Sequence, residues 1–152
     1  MRWCFDTSAL IEPWVRHYPP EMFEPLWDKL KELAESGTIA APVDVRIELE
    51  RQSDNLCKWA KALDNFFVDT DRALLQKSKD IIIAHAGFID PKSTRSGADP
   101  FVVALAEISG VPVVTYETMG KAKTPKIPNV CRARGIRVAS FVEVLRAEGF
   151  KL

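Results

Sequence analysis

Four acids set far apart in this 152-residue chain are the side chains best suited to chemistry: Asp6, Glu48, Asp99 and Glu117. Asp6 closes a short apolar run, residues 3–5, and is followed by Thr7 and Ser8. Glu48 rides a helical stretch after the β-tolerant residues 38–41. Asp99 opens a helix, and Glu117 falls two residues past the apolar run 111–115. Convergent carboxylates repel one another, and each has its pKa raised unless a cation compensates them. Hard oxygen donors of this kind suit magnesium or manganese. The chain has two histidines, His17 and His85, neither at an expected strand end, so a histidine-built zinc site is not expected and both are read as structural or surface residues.

Each acid also has a plainer reading. Asp6 and Asp99 fit helix capping, because Asp is a preferred N-cap and Pro100 follows Asp99 at a first helical position. Asp44 and Glu50 compete with Glu48; Asp44 shares its helix face at i,i+4, whereas Glu50 points away. Glu117 fits an ordinary loop acid.

The elements that must position these residues follow from periodicity. Residues 3–5 read as a strand and Ser8 onward as a helix broken by Pro19-Pro20. Phe23, Leu26, Trp27, Leu30, Leu33 and Ala34 recur at helical spacing until Gly37. After 38–41, a helix runs from about Pro42 to about Gln52, and residues 56–63 form another. Residues 66–68 read as a strand and 71–84 as a helix. Residues 90–97 read as a polar loop, 98–108 as a helix ended by Ser109-Gly110, and 111–115 as a strand. A basic loop, a strand over 136–139 and a helix over 141–147 complete the chain. Strands alternating with helices predict a three-layer α/β/α sandwich around a parallel sheet of about five strands, as one domain over 1–152. In such sheets, sites collect beyond the carboxyl ends of the strands, where the chain order reverses. Acids at strand ends are thereby singled out.

Composition narrows the class further. With 47% hydrophobic and 28% charged residues, the chain reads as globular rather than disordered. No apolar run approaches a membrane span and no signal-peptide pattern opens the sequence, so a cytoplasmic location without membrane association is expected. Cys4, Cys57 and Cys131 are odd in number and widely spaced, which suggests reduced packing residues rather than disulfides or a zinc motif. A formal net charge of zero offers no global attraction to a polyanion. Local affinity is available in the stretch 121–137, where Lys121, Lys123, Lys126, Arg132, Arg134 and Arg137 occur without an acid; a solvated surface is the alternative.

Taken together, the acidic blocks resemble the PIN-domain superfamily. Asp6-Thr7-Ser8-Ala9-Leu10-Ile11 is similar to its amino-terminal signature, and Ile47-Glu48-Leu49 to its second acidic position. The run from Ala98-Asp99-Pro100 to Ala106 resembles the third block, and Val113-Val114-Thr115-Tyr116-Glu117 the fourth. Pro100 and Glu117 depart from the commoner residues at their places. Residues 126–131 resemble a subgroup associated with toxin–antitoxin loci, the VapC-like toxins.

That resemblance implies a metal-dependent endoribonuclease that cleaves RNA with metal-activated water, leaving a 5′-phosphate and a 3′-hydroxyl. It implies Asp6 and Asp99 as principal magnesium or manganese ligands, Glu48 as ligand or water orienter, and Glu117 as ligand to a second or outer-sphere metal. Thr7, Ser8 and Thr115 would hold those carboxylates or waters. Lys92 and Arg95 become candidates for the scissile phosphate, with the basic stretch Lys121, Lys123, Lys126, Arg132 and Arg134 tracking the RNA backbone beyond it. It further implies a cognate antitoxin that covers the pocket and a homodimer built from the amino-terminal helices, with Trp14, Tyr18, Phe23 and Trp27 as interface or core aromatics. The competing reading is a PIN-like RNA- or protein-binding module with little or no nuclease activity.

Overall fold

Five short apolar segments, each flanked by helical periodicity, pair as parallel strands because every return passes through a crossover helix. In the computed structural model, which describes residues 1–52, 54–89 and 97–152, they are β1 (Trp3–Phe5), β2 (Ile39–Pro42), β3 (Phe67–Val68), β4 (Val113–Val114) and β5 (Val138–Ala139). Their order is β3-β2-β1-β4-β5, every pairing parallel. Cys4 sits opposite Ala40 on one side of the central strand and opposite Val113 on the other. The chain winds outward from β1 to β3, then crosses back to β4 and β5. The order therefore reverses between β1 and β4.

The helices are α1 (Ser8–Glu12), α2 (Glu24–Glu35), α3 (Val43–Gln52), α4 (Asp54–Lys61), α5 (Arg72–Ala84), α6 (Ala98–Ser109), α7 (Ile127–Ala133) and α8 (Phe141–Ala147). Right-handed crossovers place the β1–β2 and β2–β3 connections on one face and the later ones on the other. Side chains agree, in the three-layer arrangement the sequence predicts. On one face Trp14, Trp27 and Trp59 pack edge to face or tilted, with centroids 4.7 to 5.8 Å apart. On the other, α6 packs against α5 and α7. The pleat of β1 serves both layers: the fully buried Phe5 ring meets Phe66 and Phe141, while the Cys4 thiol faces the Val102 carbonyl of α6 at 3.5 Å. Truncating Phe5 to Ala would cost about 3–5 kcal/mol by the usual cost of emptying a core aromatic site.

Three local features differ from the sequence expectation. Beyond α1 the helix widens into a π-helical turn, Pro13–His17, closed by the Tyr18 amide on the Pro13 carbonyl at 2.7 Å. Pro13 carries no N–H of its own, so the ladder is interrupted there and regains a bond with wider spacing. Strands β4 and β5 are shorter than the apolar runs that announced them. Finally, α7 forms inside the segment expected to be a basic loop. Ile127, Val130 and Cys131 are buried at i, i+3 and i+4, and Pro128 lies in its first turn. Cys4, Cys57 and Cys131 are all buried free thiols. Among the described residues no helix is long and apolar enough to cross a membrane.

Candidate active site

The reversal between β1 and β4 opens a crevice beyond their carboxyl ends. Its volume is about 270 Å³, and its walls are Asp6, Thr7, Ser8, Ile11, Glu12, Glu48, Gln52, Asp99 and Glu117. Each comes from a defined place. Asp6 follows β1, and Ser8, Ile11 and Glu12 lie on α1. Glu48 and Gln52 share one face of α3 at i,i+4. Asp99 is in the first turn of α6, and Glu117 follows β4. All four acids singled out by sequence thus reach one cavity.

Asp6 is the fixed point of the cavity, only 2% exposed. Its Oδ1 accepts the Thr7 amide at 2.7 Å, and its Oδ2 accepts the Ser8 and Thr115 hydroxyls at 2.7 and 2.8 Å. Each hydroxyl in turn accepts a backbone amide: Tyr116 N–H donates to Ser8 Oγ at 2.9 Å, and Glu117 N–H to Thr115 Oγ1 at 3.0 Å. Bonds donated to Asp6 in this way favour its ionised form. Burial nevertheless raises the Asp6 pKa, opposed by the bonds from Ser8, Thr115 and the Thr7 and Ser8 amides. The field reaches further: burial and then the Asp6 charge push the Cys131 thiol up to about 12.

Glu117 has a second attachment that the sequence did not reveal. Its Oε2 accepts the Ile127 amide at 3.1 Å, at the first residue of α7. Asn129 closes the same loop. Its Oδ1 accepts the Gly120 and Lys126 amides at 2.7 and 2.9 Å, and its Nδ2 donates to the Gly120 carbonyl at 3.1 Å. A Cβ at Gly120 would lie 2.5 Å from the Thr124 carbonyl oxygen, so the loop can close this tightly only around glycine.

The basic residues are dispersed. Lys121, Lys123 and Lys126 are exposed on the loop that Asn129 closes, and Arg132 is exposed on α7. Arg134 is held in a fork by Glu107 through two bonds of 3.0 Å, near the end of α6 remote from Asp99. Arg137 pairs with Glu143 and lies over the Trp3 ring. Lys92 and Arg95, with most of the polar loop expected over 90–97, lie outside the described residues. Trp27 is core, its indole donating to the Tyr18 carbonyl, and Trp14, Tyr18 and Phe23 pack partly buried against it and its neighbours.

Sequence reasoning missed Glu12 and Gln52. Both were findable, since Ser8 and Glu12, and Glu48 and Gln52, are i,i+4 pairs on helices already assigned.

Fold and site together define a doubly wound parallel α/β domain with an acid-lined crevice at its switch point. The chain belongs to the family described as Domain of unknown function (DUF4411), which matches residues 3–152. No curated protein matches it.

A divalent cation fits the chemistry of this donor set. The crevice walls offer carboxylate oxygens, with no histidine or thiol, and the buried Thr7 Oγ1 has no hydrogen-bond partner among the described residues. No group of three or more His, Cys, Asp or Glu side chains among those residues is arranged to hold a metal ion as it stands. Acids spread around a cavity instead suit an ion that keeps several waters and takes one or two carboxylates directly, as magnesium does.

Proposed function

We propose that this chain is a magnesium- or manganese-dependent endoribonuclease, a PIN-like toxin of a toxin–antitoxin pair acting in the cytoplasm. The observation that carries the reading is the meeting of Asp6, Glu48, Asp99 and Glu117 in one crevice at the point where strand order reverses. When bound, the cation supplies a lowered water pKa and a positive charge against the phosphate. Asp6, oriented by Ser8, Thr115 and the Thr7 amide, and Asp99, on the first turn of α6, would hold it. Glu48, on the α3 wall of the same crevice, would act as a further ligand or orient a water. Glu117 shapes the rim through its bond to α7. Lys121, Lys123 and Lys126, exposed on the closed loop, would follow an RNA backbone leaving the crevice.

The test is incubation of pure protein with mixed cellular RNA, with and without manganese, and mapping of the ends. Metal-dependent 5′-phosphate and 3′-hydroxyl ends, lost in Asp6→Asn and Asp99→Asn, are the expected result. In bacteria, expression should slow growth and either substitution should relieve it; equal toxicity of parent and variants would sink the toxin reading. The cognate antitoxin would cover the crevice. A homodimer through the amino-terminal helices would appear in sedimentation at micromolar concentration, and a strict monomer would remove it.

The second reading is a PIN-like binding module on the same scaffold. That reading expects RNA binding with no cleavage in any divalent metal.

A further inference from the structure

Two rings are stacked on segments that continue from the crevice walls. His17 and Tyr116 lie nearly parallel, 11° apart, with centroids separated by 5.3 Å, and His17 remains exposed. Both are tied to the site. Tyr116 stands between Thr115 and Glu117, and its amide donates to Ser8 Oγ. His17 ends the π-helical turn that begins directly after Glu12, a residue of the crevice wall. A wider turn changes which side chains share a helix face, and such turns recur at functional sites. Tyr116 is anchored beneath, partly buried against the core with its ring 6.3 Å from that of Phe141. On the same turn Arg16, its side chain 70% exposed, reaches back to Glu12 at 3.2 Å.

A ring held parallel on one side and exposed to solvent is a platform for a third flat group. The crevice repels phosphates unless a cation fills it, so a polynucleotide threading past needs an attachment that does not depend on phosphate. We propose that His17, backed by Tyr116, stacks an unpaired nucleobase of a single-stranded polynucleotide next to the phosphate in the crevice, with Arg16 against the neighbouring backbone. The platform rests on the nuclease reading for its substrate, and it makes His17 a substrate-positioning residue. Stacking uses the base face, which every base has, so the platform selects unpaired over paired strands rather than one sequence.

The experiment is fluorescence anisotropy with labelled oligo(A), oligo(dA) and an oligo(A) carrying a single abasic residue, in low-salt buffer containing EDTA so that nothing is cut. His17→Ala should weaken oligo(A) and oligo(dA) about five-fold or more, as the loss of one base–aromatic stack does. His17→Phe should restore binding, and the melting temperatures of both variants should stay with the parent. Scanning the abasic residue along the strand should find a position that weakens the parent but not His17→Ala. Equal affinity of parent and His17→Ala, or failure of His17→Phe to restore binding, overturns the platform. The parent's manganese-dependent cleavage of oligo(A), run in parallel, separates the two ideas. Cleavage with unchanged His17→Ala binding removes the platform and keeps the nuclease. Binding that follows the ring at position 17 without cleavage in any metal does the reverse.

Discussion

Asp6 and Glu107 are carboxylates at opposite ends of the β4 region, and their surroundings are opposite in kind. At the amino ends of β4 and β5, Glu107 is clasped by Arg134 through two bonds of 3.0 Å and approached by Lys77 at 3.4 Å. The bonds from Arg134 hold its pKa below the usual carboxylate range. At the carboxyl ends of β1 and β4, Asp6 receives bonds from hydroxyls and amides, which orient it without neutralising it, and burial drives its pKa up. An acid that serves the fold is neutralised from within the chain. Asp6 is instead buried in a cleft and held by neutral donors, the setting that the proposed cation would need.

The largest effect expected from this contrast is on cleavage. Asp6→Asn should lower the rate by at least about 100-fold, a loss of roughly 2.7 kcal/mol of barrier lowering. Glu107→Gln should leave the rate within a factor of about two, since Glu107 is remote from the crevice. Single-turnover assays with manganese decide it, and comparable losses in both variants would erase the contrast.

Next comes the response to metal. Close like charges cost on the order of 1 kcal/mol per pair near a protein surface. Asp99→Asn removes one charge and keeps the shape, so the metal-free variant should melt roughly a few degrees above the parent. Manganese should raise the parent's melting temperature by mass action and raise the variant's much less. A lower metal-free melting temperature with an undiminished manganese shift would leave Asp99 as a helix-starting residue and nothing more.

A smaller effect lies in acid stability, where the two carboxylates should differ in sign. The Glu107 pKa is depressed in the fold, so its contribution is present above the ordinary carboxylate range and is lost as pH falls through its folded pKa. Arg134→Ala should therefore cost about 1 kcal/mol at neutral pH, and the difference from the parent should shrink on acidification. The Asp6 pKa is raised, so ionising it opposes folding as pH climbs from the ordinary range toward its folded value. The stability of Asp6→Asn relative to the parent should accordingly improve as pH rises through that window in metal-free buffer. Urea melts across pH give both slopes, and parallel slopes would contradict the assignment.

The strand-helix alternation was legible because parallel strands leave a strong periodic signal; Asp6, Asp99 and Glu117 could be selected because they stand next to strand or helix ends, and Glu48, in the middle of α3, through the resemblance of its block. What escaped was local. The basic residues Lys121 to Arg137 drew attention away from Ile127, Val130 and Cys131, whose spacing marks α7. Arg134 looked like an RNA contact because Glu107, 27 positions earlier, is not a neighbour in sequence. The stack of His17 on Tyr116 was not legible either, since only the fold and the π-helical turn bring the two rings together.

Glu117 provides the finest test, because anchor and metal ligand can be separated in one side chain. Its Oε2 accepts the Ile127 amide at 3.1 Å, while its own amide is held by Thr115 Oγ1. Glutamine keeps a carbonyl acceptor for Ile127 and loses the charge; alanine loses both. A hydrogen bond from an amide to a charged group contributes about 1 kcal/mol net or somewhat more. In metal-free buffer Glu117→Ala should therefore melt roughly 2–4 °C below the parent, and Glu117→Gln should stay close to it, because the loss of charge assistance is offset by relief of repulsion within the crevice. If anchoring is its main service, Glu117→Gln should retain cleavage within about tenfold of the parent, the scale at which supporting groups around a metal act. Asp6→Asn should fall far below that. A Glu117→Gln variant with a normal melt and an activity as low as that of Asp6→Asn would make the Glu117 carboxylate a direct ligand, and the bond to Ile127 would then be the device that aims it.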